Sequence, residues 1–424
     1  MRPYLIIATA LFLTACSARR CMDPAVELAS IHIIDRNGLT ETISTPERLN
    51  QYAQVDFLKP QSYQKVLRVF GRDSKGNIRS YVTSYHENGQ PKQYLEILNT
   101  RAMGSYREWY SNGTMRIDAF VIGGDADITA QAEKSWLFDG PARAWNECGI
   151  LLANVEYQKG ELHGISTYYH DNGTISKTIP YCLGKAEGTA QIFDPCGNLI
   201  EAAEFANGVP HGRTIRFWSP GQTTALEEFQ EGLLARGRYW EQNGQLVSEI
   251  NEGSGFRTLF SPDGRSEQQE YKNGQLEGIV KVFNKEGFVV RTYHIKDEVK
   301  HGEEVEYFTN PLARKASHPK LSLHWSEGKI QGVVKTWYDN GAQESQREIS
   351  NNRKHGLSTA WYRDGSIMLI EEYEQDKLVN GQYFKKGDSR PISKIKKGEG
   401  EASLYGADGS FMQKVTYVNG QPEV

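Results

Sequence analysis

Short runs rich in β-branched and aromatic residues recur along most of the chain, and polar stretches containing glycine divide them. Clear examples are residues 165–169, 214–218, 333–337 and 357–361. The apolar positions follow no sustained period of about 3.6 residues, which an amphipathic helix would require. The pattern therefore predicts short β-strands that are joined by tight turns.

The turns recur at a fixed spacing. About every 24 residues an aromatic residue leads into a polar stretch that ends in glycine. A second glycine follows about fifteen residues later, so each cell holds two turns and two strands. We therefore expect an all-β, elongated, solenoid-like array of stacked antiparallel β-hairpins, with about 24 residues per repeat. The clearest turn glycines are Gly89, Gly113, Gly149, Gly173, Gly197, Gly341 and Gly365.

The first part of the chain does not follow this period. Residues 31–34 and 39–43 flank the turn sequence Asp35-Arg36-Asn37-Gly38 and predict a hairpin. Thr45, Pro46 and Glu47 predict a helix start, and the helix should extend to Tyr52. We expect a signal peptide at 1–15, an anchor segment with a small α+β N-terminal cap at 16–62, and the repeat array at 63–424.

Three places depart from the period. Extra residues fall around 123–133, and residues 310–320 lack a turn glycine, whereas the cell between Gly244 and Gly264 is short. Insertions in repeat arrays often lie on the binding face. They can equally be neutral surface loops, because loop length has a small thermodynamic cost. Both interpretations of these segments stay open.

Composition limits the class of function. Hydrophobic residues make up only 38 %, aromatic residues reach 11 % and the formal net charge is −4. Many aromatic residues and few aliphatic ones suit a thin stack of hairpins. The charge and the absence of a long basic run argue against a nucleic-acid-binding protein.

The N-terminal residues resemble an export signal with a bacterial lipobox. An apolar stretch at 4–13 is too short for a transmembrane helix, and it ends in Leu13-Thr14-Ala15-Cys16. This resemblance implies lipid attachment at Cys16, and Ser17 implies the outer membrane, with the protein facing the periplasm. An ordinary signal peptide is the alternative.

Four further cysteines would enter an oxidising compartment if the chain is exported. They allow three pairings, and the sequence does not choose among them. Cys148 and Cys196 occupy the same position two cells apart, about 19 Å, which is too far for a disulfide. If an intrachain bond forms, Cys182 should pair with one of these two. The four are Cys21, Cys148, Cys182 and Cys196.

The sequence offers no catalytic constellation. It contains no nucleophile elbow, phosphate loop or CxxC pair. Carboxylate pairs such as Glu227-Glu228 and Glu371-Glu372 should point to opposite faces of a strand, and we interpret them as solvated charges. Four histidines share one slot and are interpreted as structural repeat residues: His163, His211, His301 and His355. We expect no catalytic residues, no cofactor and no metal.

Pairs of adjacent aromatic residues end several predicted strands. Neighbours on a strand face opposite ways, so one member should pack inside and the other should line the outer face. Exposed aromatic residues dominate protein interfaces. Burial of both members is the alternative. The candidate partner-binding residues are Tyr169, Trp218, Tyr338 and Tyr362.

Residues 155–173 resemble the MORN repeat, in the bacterial variant often labelled a YwqK-type antitoxin family. The matching features are an aromatic residue followed by Lys-Gly or Asn-Gly, a glycine four residues later, and the aromatic-Asn/Asp-Gly turn. The resemblance implies the hairpin array, and it implies scaffolds, membrane-associated modules or partner-binding surfaces.

These observations predict a non-enzymatic, membrane-anchored repeat lipoprotein that acts as a protein-binding scaffold in the cell envelope. One alternative is a periplasmic immunity or antitoxin protein that neutralises a specific toxin. A third is a cell-envelope hydrolase. The expected partners are an unidentified protein and, through the lipid, a membrane; no nucleic acid and no small-molecule substrate are expected.

Overall fold

A computed structural model describes residues 26–310 and 315–423. The predicted lipid-attachment residue Cys16 and Cys21 lie outside the described residues, so the predictions about them stay predictions. The described residues divide into two compact units: residues 26–174 with 181–184, and residues 175–180 with the described residues from 185 to 423.

The described residues form an almost all-β fold, with 37 strands and two short helices. Strands that follow one another in the sequence pair antiparallel in an open sheet. The predicted all-β array of antiparallel hairpins is therefore confirmed.

The first unit contains the following elements, and β13 extends from one unit into the other: β1 Leu28–Asp35, β2 Thr40–Ile43, α1 Pro46–Tyr52, β3 Tyr63–Arg72, β4 Ile78–Tyr85, β5 Pro91–Leu98, β6 Arg101–Trp109, β7 Met115–Gly123, α2 Ala130–Glu133, β8 Leu137–Phe138, β9 Gly140–Trp145, β10 Leu151–Gln158, β11 Glu161–Leu162, β12 Gly164–Tyr169 and β13 Ile175–Cys182.

The second unit continues with β14 Lys185–Ala186, β15 Gly188–Phe193, β16 Leu199–Ala206, β17 Val209–Ser219, β18 Gln222–Gln230, β19 Leu233–Trp240, β20 Leu246–Asn251, β21 Ser254–Ser261, β22 Gly264–Lys272, β23 Gln275–Phe283, β24 Val289–Lys296, β25 Val299–Lys300, β26 Gly302–Asn310, β27 Lys315–Ser326, β28 Lys329–Ile330, β29 Gly332–Trp337, β30 Gln343–Ser350, β31 Arg353–Trp361, β32 Ile367–Glu374, β33 Lys377–Tyr383, β34 Ser393–Lys396, β35 Glu399–Tyr405, β36 Phe411–Val418 and β37 Gln421–Pro422.

The N-terminal elements confirm the predicted hairpin and helix. Strand β1 pairs with β2 on one side and with β3 on the other. Helix α1 begins at Pro46, after the N-cap residue Thr45, and ends at Tyr52 as predicted. Leu49 and Phe57 pack with the isoleucines of the hairpin in a buried cluster. This small core covers one face of the first strands.

The prediction of a surface loop at 123–133 is wrong. It contains α2, and Ile128 and Ala132 are buried. The ring of Trp136 packs edge-on against Tyr106 with centroids 4.6 Å apart, and its indole N–H donates to the Asp125 carbonyl at 2.9 Å. The insertion is held by apolar burial against the sheet, so it is a lid over the core.

The predicted loop at 310–320 is also largely wrong. Strand β27 begins at Lys315 and pairs with β26, with Thr309 opposite Ala316 and Tyr307 opposite Pro319. The segment therefore lengthens a hairpin. Residues 311–314 between the two strands lie outside the described residues.

Candidate functional site

Two stretches of the second unit repeat one strand arrangement. We name residues 212–276 the first corner and residues 356–422 the second corner. In the first, Glu227 lies opposite Gly237, and Gly237 lies opposite Ile250. In the second, Glu371 lies opposite Gly381, and Gly381 opposite Ile395. The register shift between β18 and β19 recurs between β32 and β33, so the two backbones correspond closely, although the shift between Tyr239 and Trp240 has no counterpart in the second corner.

Both corners contain a short hairpin strand and a curl in the sheet. Strands β20 and β34 are only 6 and 4 residues long. In the first corner, the Leu234 N–H donates to the Gly274 carbonyl at 3.1 Å. In the second, the Leu378 N–H donates to the Gly420 carbonyl at 3.0 Å. Each bond joins one strand to a turn three strands further on, which a flat sheet would hold about 14 Å away.

The inner side of the first corner contains a buried carboxylate. Glu227 is 1 % exposed. Its Oε1 accepts hydrogen bonds from Arg257 Nε at 2.6 Å and from the Tyr239 hydroxyl at 2.9 Å. Its Oε2 accepts from Arg216 Nη1 at 2.8 Å. Arg257 comes from β21, so the curl of the sheet is what brings the two charges together.

Electrostatics at this carboxylate follow from its partners. Burial alone would raise the pKa of Glu227, but the hydrogen bonds and charges of Arg257 and Arg216 outweigh it, and the net pKa lies below its usual value. Burial, together with the adjacent Glu227 charge, raises the pKa of the Tyr239 hydroxyl. The network therefore joins the Glu227 carboxylate to two guanidinium groups and a neutral phenol, and Arg216 Nε also donates to Glu201 Oε2 at 2.8 Å.

The second corner has the same phenol and carboxylate but no arginine in the equivalent places. The Tyr383 hydroxyl donates to Glu371 Oε1 at 2.9 Å, and the Tyr373 hydroxyl donates to Oε2 at 3.1 Å. The positions of Arg216 and Arg257 are taken by Ala360 and Ala402, as the shared register shows. Two phenols satisfy Glu371, whereas one phenol and two guanidinium groups satisfy Glu227.

A glycine beneath each tyrosine makes this packing possible. A Cβ on Gly237 would lie 2.4 Å from the Tyr239 hydroxyl oxygen, and one on Gly381 would lie 2.8 Å from that of Tyr383. Each ring therefore lies over a glycine two residues before it. Sequence reasoning missed these residues, although the repeated triplets Gly237-Arg238-Tyr239 and Gly381-Gln382-Tyr383 carried the signal.

The interpretation of the glutamate pairs as solvated charges is wrong for one member of each. Glu227, Glu304 and Glu371 are all less than a tenth exposed, whereas Glu228 is half-buried and Glu372 is exposed. Side chains along each strand alternate between the two faces of the sheet as expected, but the inner member of each pair is buried.

The outer face of the first corner holds a cleft of about 740 Å³. Gly237 lies in its lining, and Leu226, which is 38 % exposed, contributes an apolar wall. Two ion pairs lie at the rim: Arg236 lies 3.6 Å from Glu228, and Arg238 lies 3.1 Å from Glu249. An adjoining cleft of about 790 Å³ shares Glu228 and continues past Leu233 to the turn at Gly274.

The second corner has a smaller equivalent cleft of about 330 Å³. Gly381 again lies in the lining, with Leu357 and Ile370 as the apolar wall. Lys394 and Lys396 close the opposite side. The same backbone thus carries two clefts with different chemistry.

Two of the predicted partner-binding residues are not on the surface. Tyr338 is 6 % exposed and Tyr362 is fully buried. The Tyr338 hydroxyl donates to the Trp361 carbonyl, and the Tyr362 hydroxyl donates to the Phe384 carbonyl, both at 2.7 Å. The prediction for both is wrong because a β-bulge at the preceding tryptophan interrupts the alternation of faces.

The other two candidates differ from this pair. Trp218 is half-buried, and its indole N–H donates to the Trp240 carbonyl at 3.1 Å, so it too links neighbouring hairpins. Tyr169 is half-buried at the end of β12. Partner binding by Trp218 and Tyr169 stays a prediction.

The histidine slot has a structural use where its contacts are described. His211 Nδ1 accepts from the Glu231 N–H at 3.3 Å. At the same slot, Gln331 Oε1 accepts from the Asn351 N–H at 2.9 Å. Gln331 thus replaces the histidine at an equivalent position and accepts the same kind of hydrogen bond. The histidine therefore serves as a hydrogen-bond acceptor for the next turn.

The remaining features to consider in the part of the chain that the structure describes are cysteines, metal-ligating groups and membrane-spanning helices. Cys148, Cys182 and Cys196 are exposed and free. Residues 26–310 and 315–423 hold no group of three metal-ligating side chains. No helix within those ranges has the length and apolarity that a membrane span needs.

One repeat of the chain matches a known family. Residues 162–182 match the MORN repeat variant. The match lies over β11, β12 and β13, and it supports a MORN-type repeat protein. The comparison with curated proteins gives no match.

Solved structures with some likeness include two crystal structures, titled TcdB2-TccC3-TEV and TcdB2-TccC3 without its hypervariable C-terminal region. The first is 12 % identical, with 91 % of this chain covered and a TM-score of 0.15. The second is 12 % identical, with 84 % covered and a TM-score of 0.14. This chain spans 23 % of the length of each. With such TM-scores the likeness supports no conclusion about this chain.

Proposed function

We propose that this MORN-type repeat protein is a non-enzymatic scaffold that binds a protein partner through the outer face of its two corners. The observation that carries the proposal is that one backbone arrangement occurs twice, and each copy opens a cleft on the outer side. A hydrogen-bonded bend and a buried carboxylate fix each cleft from beneath. Binding surfaces that are fixed in this way lose little entropy when a partner docks.

The chemistry of the clefts favours a protein over a small molecule. Ligand pockets are usually enclosed and mostly apolar, with a few convergent polar groups. Here the walls mix exposed leucine with arginine, and arginine is enriched at protein interfaces. The adjoining volumes of about 740 and 790 Å³ form an open groove that suits a chain segment.

We also propose that Cys16 anchors the protein by lipid to the outer membrane, on the periplasmic side. The support is the lipobox at Leu13-Thr14-Ala15-Cys16. Cells fed a clickable palmitate should label the wild type and leave Cys16→Ala unlabelled. Equal labelling of the two would rule out this anchor. An immunity protein would use the same clefts, with a toxin as its partner.

The binding function is tested by crosslinked capture from membranes with the full-length chain. Leu226→Asp combined with Ile370→Asp places a charge in each cleft. The matched control is Ile165→Asp, at an apolar site that is 58 % exposed and remote in sequence from the corners. We expect the wild type and the control to capture one shared partner, and the cleft variant to lose it while keeping its thermal midpoint. An unchanged partner in the cleft variant contradicts the proposal.

A further inference from the structure

The second corner carries an unusual concentration of positive charge. Residues 377–397, here named the basic hairpin, contain seven basic residues and one acidic residue, in a chain whose net charge is −4. The equivalent residues 233–253 of the first corner contain two basic and three acidic residues. All the cations of the basic hairpin are exposed: Lys377, Lys385, Lys386, Arg390, Lys394, Lys396 and Lys397.

Two of these cations point into the second cleft and lack an anionic partner. Lys394 and Lys396 are exposed on either side of buried Ile395, so they share the outer face of β34. Within the described residues neither forms an ion pair, whereas Lys386 lies 4.0 Å from Asp364. In the first cleft the corresponding positions are Glu249, which pairs with Arg238, and Asn251.

Polarity changes in one direction across the second cleft. Leu357 lies opposite Glu372, Glu372 opposite Asn380, and Asn380 opposite Lys396. A parallel row runs from Ile370 through Gln382 to Lys394. The carboxylate of Glu372 already accepts a hydrogen bond from the Asn380 amide at 2.7 Å. The cleft therefore passes from an apolar edge, over amides, to a cationic edge.

We propose that the second cleft binds an acidic, extended segment of a partner protein, with an apolar side chain against Leu357 and Ile370 and carboxylates on Lys394 and Lys396. This rests on the proposed binding function and names the chemistry of the partner at one cleft. Three strand spacings separate the two edges, about 14 Å, which an extended chain covers in about four residues. The matching segment has apolar residues followed about four positions later by an acidic pair.

The lining favours a peptide over other anionic partners. Single-stranded nucleic acids are held by aromatic platforms on which bases stack, and no aromatic side chain lines the described cleft. An anionic membrane would engage the whole basic hairpin and not the apolar wall at Leu357. The apolar-to-cationic gradient is complementary to an amphipathic peptide.

The experiment is a fluorescence-anisotropy titration of the full-length chain with a labelled Leu-Leu-Ser-Ser-Glu-Glu peptide. Leu-Leu-Ser-Ser-Lys-Lys and Ser-Ser-Ser-Ser-Glu-Glu serve as probes for the acidic and apolar ends. We expect the first peptide to bind at least about tenfold more tightly than either probe, and Lys394→Glu with Lys396→Glu to weaken it by about tenfold.

A gain-of-binding variant supplies the matched control. Glu249→Lys with Asn251→Lys places the same two cations at the equivalent positions of the first cleft. We expect its stoichiometry to rise from one peptide per chain towards two. Equal binding of the acidic and basic peptides, or no effect of the Lys394 and Lys396 substitutions, overturns the proposal. So does binding of phosphatidylglycerol vesicles or oligonucleotides without peptide binding.

The outcome of the peptide experiment can be distinguished from the outcome of the capture experiment that tests the proposed function. Loss of the partner in the Leu226 and Ile370 variant with no binding of the acidic peptide would leave the scaffold function in place and reject the acidic segment. Peptide binding with an unchanged partner in that variant would reject the scaffold function at the clefts.

Discussion

The two corners have the same backbone and different interiors. In the first, Arg216 and Arg257 neutralise buried Glu227; in the second, alanines stand at those positions and two tyrosine hydroxyls satisfy Glu371. The shared elements are the glutamate, the glycine opposite it and the tyrosine that lies over this glycine. The comparison teaches that these three residues accompany the bend, whereas the arginines are an addition to one copy.

The largest expected effect is the loss of the carboxylate in the first corner. Glu227→Gln leaves the largely buried Arg257 guanidinium without a counter-charge, whereas Arg216 keeps Glu201 at 2.8 Å, and breaking a buried pair in this way costs about 3 kcal/mol. Glu371→Gln removes hydrogen-bond acceptor capacity alone, worth about 1 kcal/mol. Amide hydrogen exchange across each corner measures the two losses of local opening free energy.

The control for this pair is Glu228→Gln, on the outer face beside Glu227, where the Glu228 side chain is 44 % exposed. It should change the opening free energy by less than about 0.5 kcal/mol. Equal losses for Glu227→Gln and Glu371→Gln would show that the arginines are irrelevant to the first corner.

Acid should destabilise the first corner through the same carboxylate. Because the pKa of Glu227 is lowered in the folded chain, its stabilising contribution is fully present above the ordinary value of 4.5. That contribution is lost as pH falls through the lowered pKa. Amide-exchange protection around Glu227 should therefore fall in acid. This loss should be no larger than the loss of protection that Glu227→Gln causes. The variant itself should lack this pH dependence, and a matching dependence in it would contradict the assignment.

A methyl group at the central glycine should loosen both corners by a smaller amount. Gly237→Ala and Gly381→Ala push the tyrosine ring away from its position over the glycine. Overpacking of this kind lowers the free energy of unfolding by about 1–3 kcal/mol. The effect should be larger for Gly237, where the contact would be 2.4 Å rather than 2.8 Å. Thermal midpoints and local exchange of the two variants check the order.

Removal of the hydroxyl provides the control for this substitution. In a Tyr239→Phe background the nearest obstacle to the new methyl group is gone, so Gly237→Ala should cost less there. An undiminished cost would show that the tyrosine does not sit over the glycine.

The sequence predicted the hairpins because their signals are local. Asn-Gly turns, β-branched runs and the helix start at Thr45 and Pro46 act over a few residues, and the structure places strands and α1 accordingly. The short cell between Gly244 and Gly264 also marked the first corner. The second corner was missed, because its turn at Lys386 and Gly387 lacks the usual signal.

The interior of the corners could not be predicted for a different reason. Glu227 and Arg257 are 30 residues apart in sequence and three strands apart in the sheet, and only the curl joins them. Tyr338 was misplaced because a bulge shifts the register by one position at the strand end, which reverses the face. Both errors come from geometry that no short window of sequence contains.

Amide exchange in the unmodified chain tests the shared bend most directly. In a sheet without the curl, the amides of Leu234 and Leu378 would lie about 14 Å from the turns at Gly274 and Gly420. Here the Leu234 N–H donates to the Gly274 carbonyl at 3.1 Å, and the Leu378 N–H donates to the Gly420 carbonyl at 3.0 Å. The account predicts that the amides of Leu234 and Leu378 exchange as slowly as central strand amides. Rapid exchange at these positions in either corner would contradict it.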